Sequence, residues 1–140
     1  MRRIHIHVNT SEADFAASRD YYSGLFGQPP GKLRDGYAKW MLEQPRVNFV
    51  LEISDLAPGQ PGIHHLGIQV DSDQELADLG AAAKATGAPM LEVGETTCCF
   101  SRSQKNWVQD PSGVRWELFR SIADAEDYGE KTPAEQANYT

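Results

Sequence analysis

Polar and apolar residues alternate in two stretches of the chain, as a strand with one covered face requires. Residues 3 to 10 read Arg-Ile-His-Ile-His-Val-Asn-Thr, and residues 65 to 70 read His-Leu-Gly-Ile-Gln-Val. Successive side chains on a strand point to opposite faces, so each run carries its histidine and its aliphatic residues on different sides. After each run the period lengthens. Ser11 offers an N-cap, and Phe15, Tyr22, Leu25 and Phe26 recur at helical spacing until Gly27 and Pro29 end the pattern. Asp71 and Ser72 cap a second predicted helix, from 73 to about 86, which Gly87 and Pro89 stop. Strands are predicted over 37–42 and 47–53, joined by a turn at Gln44-Pro45, and over 90–93, 96–102, 105–109 and 114–119. The stretch 55–62 holds Pro58, Gly59, Pro61 and Gly62 and reads as a linker.

The order therefore starts again after the linker. The run from Trp40 to Leu51 parallels that from Trp107 to Leu118, with one residue of slippage, and His5 opens the first half as His65 opens the second. In this alignment Val50 stands where the second half has Glu117. The economical fold is α+β: two tandem βαβββ modules, about 3–54 and 63–121, bending around a shared metal-binding cleft. At 140 residues the chain suits a single domain over 1–122. Residues 123–140 form an acidic C-terminal tail. A net charge of −7 argues against nucleic acid or an anionic membrane as partner. No stretch has the apolar length of a membrane span or a leader, which predicts a cytoplasmic protein. The only two cysteines, Cys98 and Cys99, are adjacent; a bridge between neighbours is strained, so free thiols in a reducing compartment are expected.

The candidate chemistry lies on these strands. His5 and His7, two apart, project to one face, whereas His64 and His65 project to opposite faces, and the repeat favours His65. Glu117 follows Trp116 on an otherwise apolar strand, where a carboxylate is costly unless paired or bound to metal. Any one of these histidines is most simply a strand residue satisfied by hydrogen bonds. Two symmetry-related histidines with one carboxylate instead point to a catalytic divalent-metal site of His5, His65 and Glu117, with His7 as the alternative first ligand. Such a set leaves open positions on the ion and suits Fe(II) and oxygen chemistry.

Over roughly residues 3–121 the chain resembles the vicinal oxygen chelate superfamily of glyoxalase, bleomycin resistance and extradiol dioxygenase proteins. The resemblance rests on His5, Tyr21-Tyr22-Ser23-Gly24-Leu25-Phe26-Gly27, His65-Leu66-Gly67-Ile68-Gln69-Val70 and Asp110-Pro111-Ser112-Gly113-Val114-Arg115-Trp116-Glu117. It implies that the matching His5, His65 and Glu117 hold the ion, and that the protein is a homodimer. Thr96-Thr97-Cys98-Cys99, followed by Lys105 and Trp107-Val108, is similar to the cadmium-induced and carbon–arsenic lyase branch. This implies an Fe(II)-dependent, dioxygen-using enzyme that cleaves trivalent organoarsenicals.

The chemistry of a thiol pair agrees, because trivalent arsenic prefers soft thiolate ligands. Cys98 and Cys99 would capture the substrate. Adjacent residues of a regular strand diverge, so a flexible loop is expected at 95–104. Lys105 would contact an anionic group or favour the thiolates, and Tyr37, Trp40 and Trp107 are candidates for an aromatic pocket. The rival reading is a non-catalytic cadmium- or arsenite-binding protein. A glyoxalase-like isomerase is a third, which Val50 at the position matching Glu117 disfavours.

Overall fold

The computed structural model describes residues 2–54, 62–98 and 101–124. Its element order is β1 (Arg3–Thr10), α1 (Phe15–Phe26), β2 (Lys32–Arg34), β3 (Tyr37–Glu43), β4 (Arg46–Ile53), β5 (Gly62–Val70), α2 (Asp73–Ala85), β6 (Met90–Cys98), β7 (Ser101–Gln109) and β8 (Arg115–Asp124). The βαβββ order thus occurs twice, as the sequence pattern predicts. The chain divides into two compact units, Arg3–Leu66 and Gly67–Thr140, the latter with Met1–Arg2. No helix among the described residues is long and apolar enough to cross a membrane.

In the first unit the strand order is β2-β3-β4-β1, with the opening residues of β5 beside β1. β1 runs parallel to β4 and pairs His7 with Val50; the antiparallel β3–β4 and β2–β3 pairs set Lys39 against Val50 and Lys32 against Lys39. One face of this sheet carries Ala38, Trp40, Phe49 and Leu51, packed against Phe15, Tyr22 and Phe26 of α1. The rings meet closely: Tyr22–Phe49 centroids lie 4.6 Å apart and Phe26–Phe49 5.0 Å apart. Such pairs contribute about 0.5–1.5 kcal/mol beyond area burial. Trp40 Nε1 donates to the Gln28 carbonyl at 3.1 Å, which satisfies the one polar atom this ring brings into the core. Burial, and after it the neighbouring Tyr21, pushes the Tyr22 phenol above its ordinary range.

The second unit repeats the order as β6-β7-β8, with the later residues of β5 beside β8. Its core is aliphatic: Val70, Leu76 and Leu118, with Ile68, Leu79, Ala83 and Val108. α2 approaches β7 so closely that a Cβ on Gly80 would stand 3.3 Å from Asn106 Nδ2.

The helix starts differ from each other. The predicted cap of α2 is present, with Ser72 Oγ accepting from the Glu75 amide at 3.1 Å. α1 begins later than the pattern predicts, because its N-cap is Asp14 rather than Ser11. Ser11 instead closes the preceding turn, its hydroxyl accepting from the Asp14 amide at 3.1 Å. Gly27, at φ 72°, ends α1 in the left-handed conformation that glycine adopts without a steric penalty.

Three further expectations are corrected. β2 was not predicted: its three residues are too few to show a period. The expected loop at 95–104 is largely strand, since β6 continues through Cys98 and β7 begins at Ser101, with these two residues register partners. The strands expected at 90–93, 96–102 and 105–109 are divided differently: β6 runs unbroken to Cys98, and β7 runs from Ser101 to Gln109 paired with both β6 and β8. Among the described residues, the strands near the cysteines show register shifts at Glu92/Gly94 and Arg102/Ser103. The linker 55–61 and the tail from 125 onward lie outside the described residues.

Candidate metal centre

Alternation along β1 sends Ile6 and Val8 towards α1 and leaves His5 and His7 on the other face. There both imidazoles are buried, together with His65 from β5. His5, His7 and His65 each offer a ring nitrogen, and these atoms lie within 4.8 Å of one another. The ring centroids are 5.2 Å apart for His5–His65 and 4.6 Å for His7–His65. A donor set of this kind, buried and lacking any anion among its three members, fits a divalent transition metal bound through neutral imidazole.

The hydrogen bonds orient each ring. His5 Nδ1 donates to the Asn48 carbonyl at 3.1 Å, which fixes the tautomer and places the lone pair on Nε2. His7 is held differently: its Nε2 donates to Glu52 Oε1 at 3.1 Å, in a pair whose side chains are both buried. Nδ1 of His65 and Nδ1 of His64 are hydrogen-bonded at 2.7 Å, and with His65 as the donor its Nε2 keeps the lone pair for a ligand. His64, expected to turn away, therefore stays at the edge of the cluster, with its ring 5.6 Å from that of His7.

Glu52 is the residue the sequence reading missed. It sits two positions after Val50 on β4, so alternation alone places it on the same face as Val50 and His7. Attention to the position matching Glu117 concealed it.

The second unit holds the other two predicted residues that carry a described side chain. Glu117 is buried on β8, opposite Trp107 of β7 in register. Lys105, expected near substrate, is buried to 4% exposure and its Nζ stands 3.5 Å from Glu117 Oε2. The lysine thus compensates the carboxylate whose burial would otherwise be costly. The structure brings His5, His7 and His65 together in one unit and Glu117 with Lys105 in the other. Of Cys98 only the backbone is described, and Cys99 lies outside the described residues.

Of the three proposed pocket aromatics, Trp40 belongs to the α1 core. Tyr37 is buried on the histidine face, in register with Glu52. Trp107 shares a face with Glu117. Trp40 and Trp107, equivalent in the sequence repeat, therefore lie on opposite faces of their own sheets with respect to the packed helix. The one-residue slippage lies at the turn, as expected: Trp40 pairs with Phe49 but Trp107 with Glu117, and a shift by one reverses the face.

A two-module fold with a buried cluster of metal-ligating side chains defines a glyoxalase-like metalloprotein. The family model for the Glyoxalase/Bleomycin resistance protein/Dioxygenase superfamily matches residues 5–118, and the chain belongs to that superfamily. It is 34% identical over 128 residues to the trivalent organoarsenical cleaving enzyme of Bacillus sp. (strain MD1), covering 91% of this chain and 79% of that protein. It is 35% identical over 131 residues to the cadmium-induced protein CadI of Mycobacterium tuberculosis (strain ATCC 25618 / H37Rv), covering 92% and 82% respectively. Among solved structures it resembles the Mn(II)-bound glyoxalase from Novosphingobium aromaticivorans, with a TM-score of 0.63 and 15% identity over 96% of this chain and 44% of that one. The last likeness supports the fold.

Proposed function

We propose that the protein is an Fe(II)-dependent, dioxygen-using lyase that releases inorganic arsenite from trivalent organoarsenicals. His5, His65 and Glu117 hold the metal, Cys98 and Cys99 capture the arsenic, and Lys105 holds the side chain of Glu117 in place until metal binds. A bound Fe(II) with open positions would supply the activation of dioxygen that no side chain of the chain can provide. The single observation that carries this reading is the buried imidazole cluster, in a chain more than 30% identical to an organoarsenical cleaving enzyme.

His5 is taken as the first ligand because it opens its half of the chain as His65 opens the other, with His7 as the alternative. The Asn48 carbonyl leaves the His5 lone pair at Nε2, and Glu52 in the same way leaves that of His7, the ring stacked on His65, at Nδ1. The thiol pair adds proximity: arsenic fixed by two thiolates presents its organic group in one place rather than by diffusion. The buried surroundings of the histidines limit water around that group. The proposal extends to one working domain over 1–122, with modules at about 3–54 and 63–121 and an acidic tail at 123–140, acting as a cytoplasmic homodimer.

The test is incubation of the purified protein with Fe(II) and methylarsenite or phenylarsenite, with and without oxygen. Release of inorganic arsenite that requires both Fe(II) and O2 supports the lyase. Stoichiometric retention of the arsenical or of cadmium without turnover identifies a sequestering protein, the reading that the likeness to the cadmium-induced protein favours.

A further inference from the structure

Each ring of the imidazole cluster is held by a group of different chemistry. The Asn48 carbonyl meets Nδ1 of His5 at 3.1 Å, and the Glu52 carboxylate meets Nε2 of His7 at 3.1 Å. For His65 the partner is another imidazole, that of His64, with the two Nδ1 atoms 2.7 Å apart. Neighbours in a strand ordinarily point to opposite faces, so alternation alone would send His64 away from His65. Its ring instead stays beside the cluster, half-buried. Its centroid is 5.0 Å from that of His65 and 5.6 Å from that of His7.

His64 is not placed as a ligand. The ring nitrogens that lie within 4.8 Å of one another belong to His5, His7 and His65, and His64 is not among them. Its role follows from counting protons. A hydrogen bond between two imidazole nitrogens needs one N–H and one lone pair. When His65 donates, its proton sits on Nδ1 and Nε2 keeps the lone pair for an ion. When His64 donates, a neutral His65 carries its proton on Nε2, and that nitrogen is closed to metal. The stacking of His65 on His7, at 4.6 Å between centroids, limits the tilt of the ring. It does not choose between the two flips about χ2, because a flipped ring stacks in the same way. The hydrogen bond does choose.

We infer that His64 is a positioning residue of the metal centre. Its Nδ1 accepts the proton of His65 Nδ1, which fixes His65 in the flip and tautomer that bind metal through Nε2. This role deepens the proposed function and rests on it, since it takes His65 as a ligand. His64 does for His65 what a main-chain carbonyl does for His5, but through a side chain that substitution removes.

The test uses the metal-free protein and its Co(II) complex, as wild type, His64→Phe and His64→Asn. Phenylalanine keeps a ring and removes the acceptor; asparagine puts an acceptor oxygen close to where histidine carries Nδ1. Nitrogen-15 NMR of the metal-free proteins, at mildly alkaline pH where imidazoles are neutral, reads the tautomers. It should show His65 protonated at Nδ1 in the wild type and in His64→Asn, and shifted towards the Nε2-protonated form in His64→Phe. Co(II) affinity, read from visible absorption, should fall about 10- to 100-fold in His64→Phe, as loss of an outer partner of a metal site does, and should recover in part in His64→Asn. A wild type protonated at Nε2 of His65, or a His64→Phe variant unchanged in tautomer or in affinity, overturns the role. Equal loss of affinity in both variants marks simple packing and overturns it too. If the wild type takes up no Co(II), the metal reading fails by itself, and the tautomers of the metal-free proteins still decide what His64 does to His65. Thermal unfolding checks that each variant folds, and His64→Leu replaces His64→Phe if that one does not.

Discussion

Across the face opposite α1 the first unit reads Lys32, Lys39, Val50 and His7, while across the face opposite α2 the second reads Leu91, Trp107 and Glu117. The backbone order is the same in both. The first unit places bases and ammonium groups where the second places a carboxylate and an indole. Each unit also gives its own buried acid a hydrogen-bonding partner, His7 for Glu52 in one and Lys105 for Glu117 in the other. A duplicated fold thus keeps strand order and helix packing while the buried face turned away from the helix diverges, because strand order depends on ladder hydrogen bonds and the apolar face, and the opposite face is left to function. The cores diverge too: stacked aromatics beneath α1, branched aliphatics beneath α2.

That contrast in packing gives the largest expected effect. Phe49 contacts Tyr22, Phe26 and Trp40, so Phe49→Ala should cost about 3–5 kcal/mol of stability, whereas Leu118→Ala, in the aliphatic core, should cost about 2–5 kcal/mol. Denaturant unfolding of the two variants measures it, and a loss below about 1 kcal/mol for Phe49→Ala would show that the ring cluster does not hold the first unit. Next in size is the contrast between the buried acids. Glu52→Gln loosens His7 and should weaken Co(II) or Fe(II) binding by about 10- to 100-fold, as loss of an outer partner of a metal site does. Lys105→Met should not weaken it, since the lysine competes with metal for Glu117. Titration of both variants checks the difference in sign.

The helix starts offer a smaller contrast. Ser72→Ala should cost about 1 kcal/mol, because its hydroxyl accepts the Glu75 amide, and Asp14→Ala should cost less, because Asp14 makes no such bond through its side chain. Equal losses would contradict the assigned caps. Smallest is a pH effect. The hydrogen bond from Arg3, opposed in part by desolvation, holds the Glu43 carboxyl below its ordinary value of about 4.5. A lowered folded-state value contributes stability that is present above that pH and lost as pH falls through the lowered one. Arg3→Met should therefore flatten the acid limb of the stability curve, as read by urea midpoints at successive pH values.

Much of this architecture was legible in residue order. Alternation at 3–10 and 65–70 located β1 and β5 and put His5 and His7 on a single face, and Ser72 marked the start of α2. What escaped had physical causes. β7 carries Ser, Arg, Gln, Lys and Asn at most positions, so the expected strands at 96–102 and 105–109 missed its continuity through Ser103 and Gln104, which neighbours on both sides supply. The loop expected at the cysteines was inferred from what two thiols need in order to share one arsenic, a demand of function that the backbone did not follow at 95–98 and 101–104. The slippage between the two repeats lies at the turn, as expected, and it reverses the face of Trp107 relative to Trp40. Glu52 needed only the period-two rule applied two residues past Val50.

Anaerobic titration of the wild type and of the His5→Ala, His7→Ala, His65→Ala and Glu117→Ala variants with Fe(II) addresses the ligand set most directly. The account predicts one equivalent of iron per chain in the wild type and in His7→Ala, with weaker affinity in the latter, and none in the other three at the same concentration. Full, tight binding by Glu117→Ala together with loss in His7→Ala would contradict it, because the ion would then be held by the three imidazoles of the first unit alone.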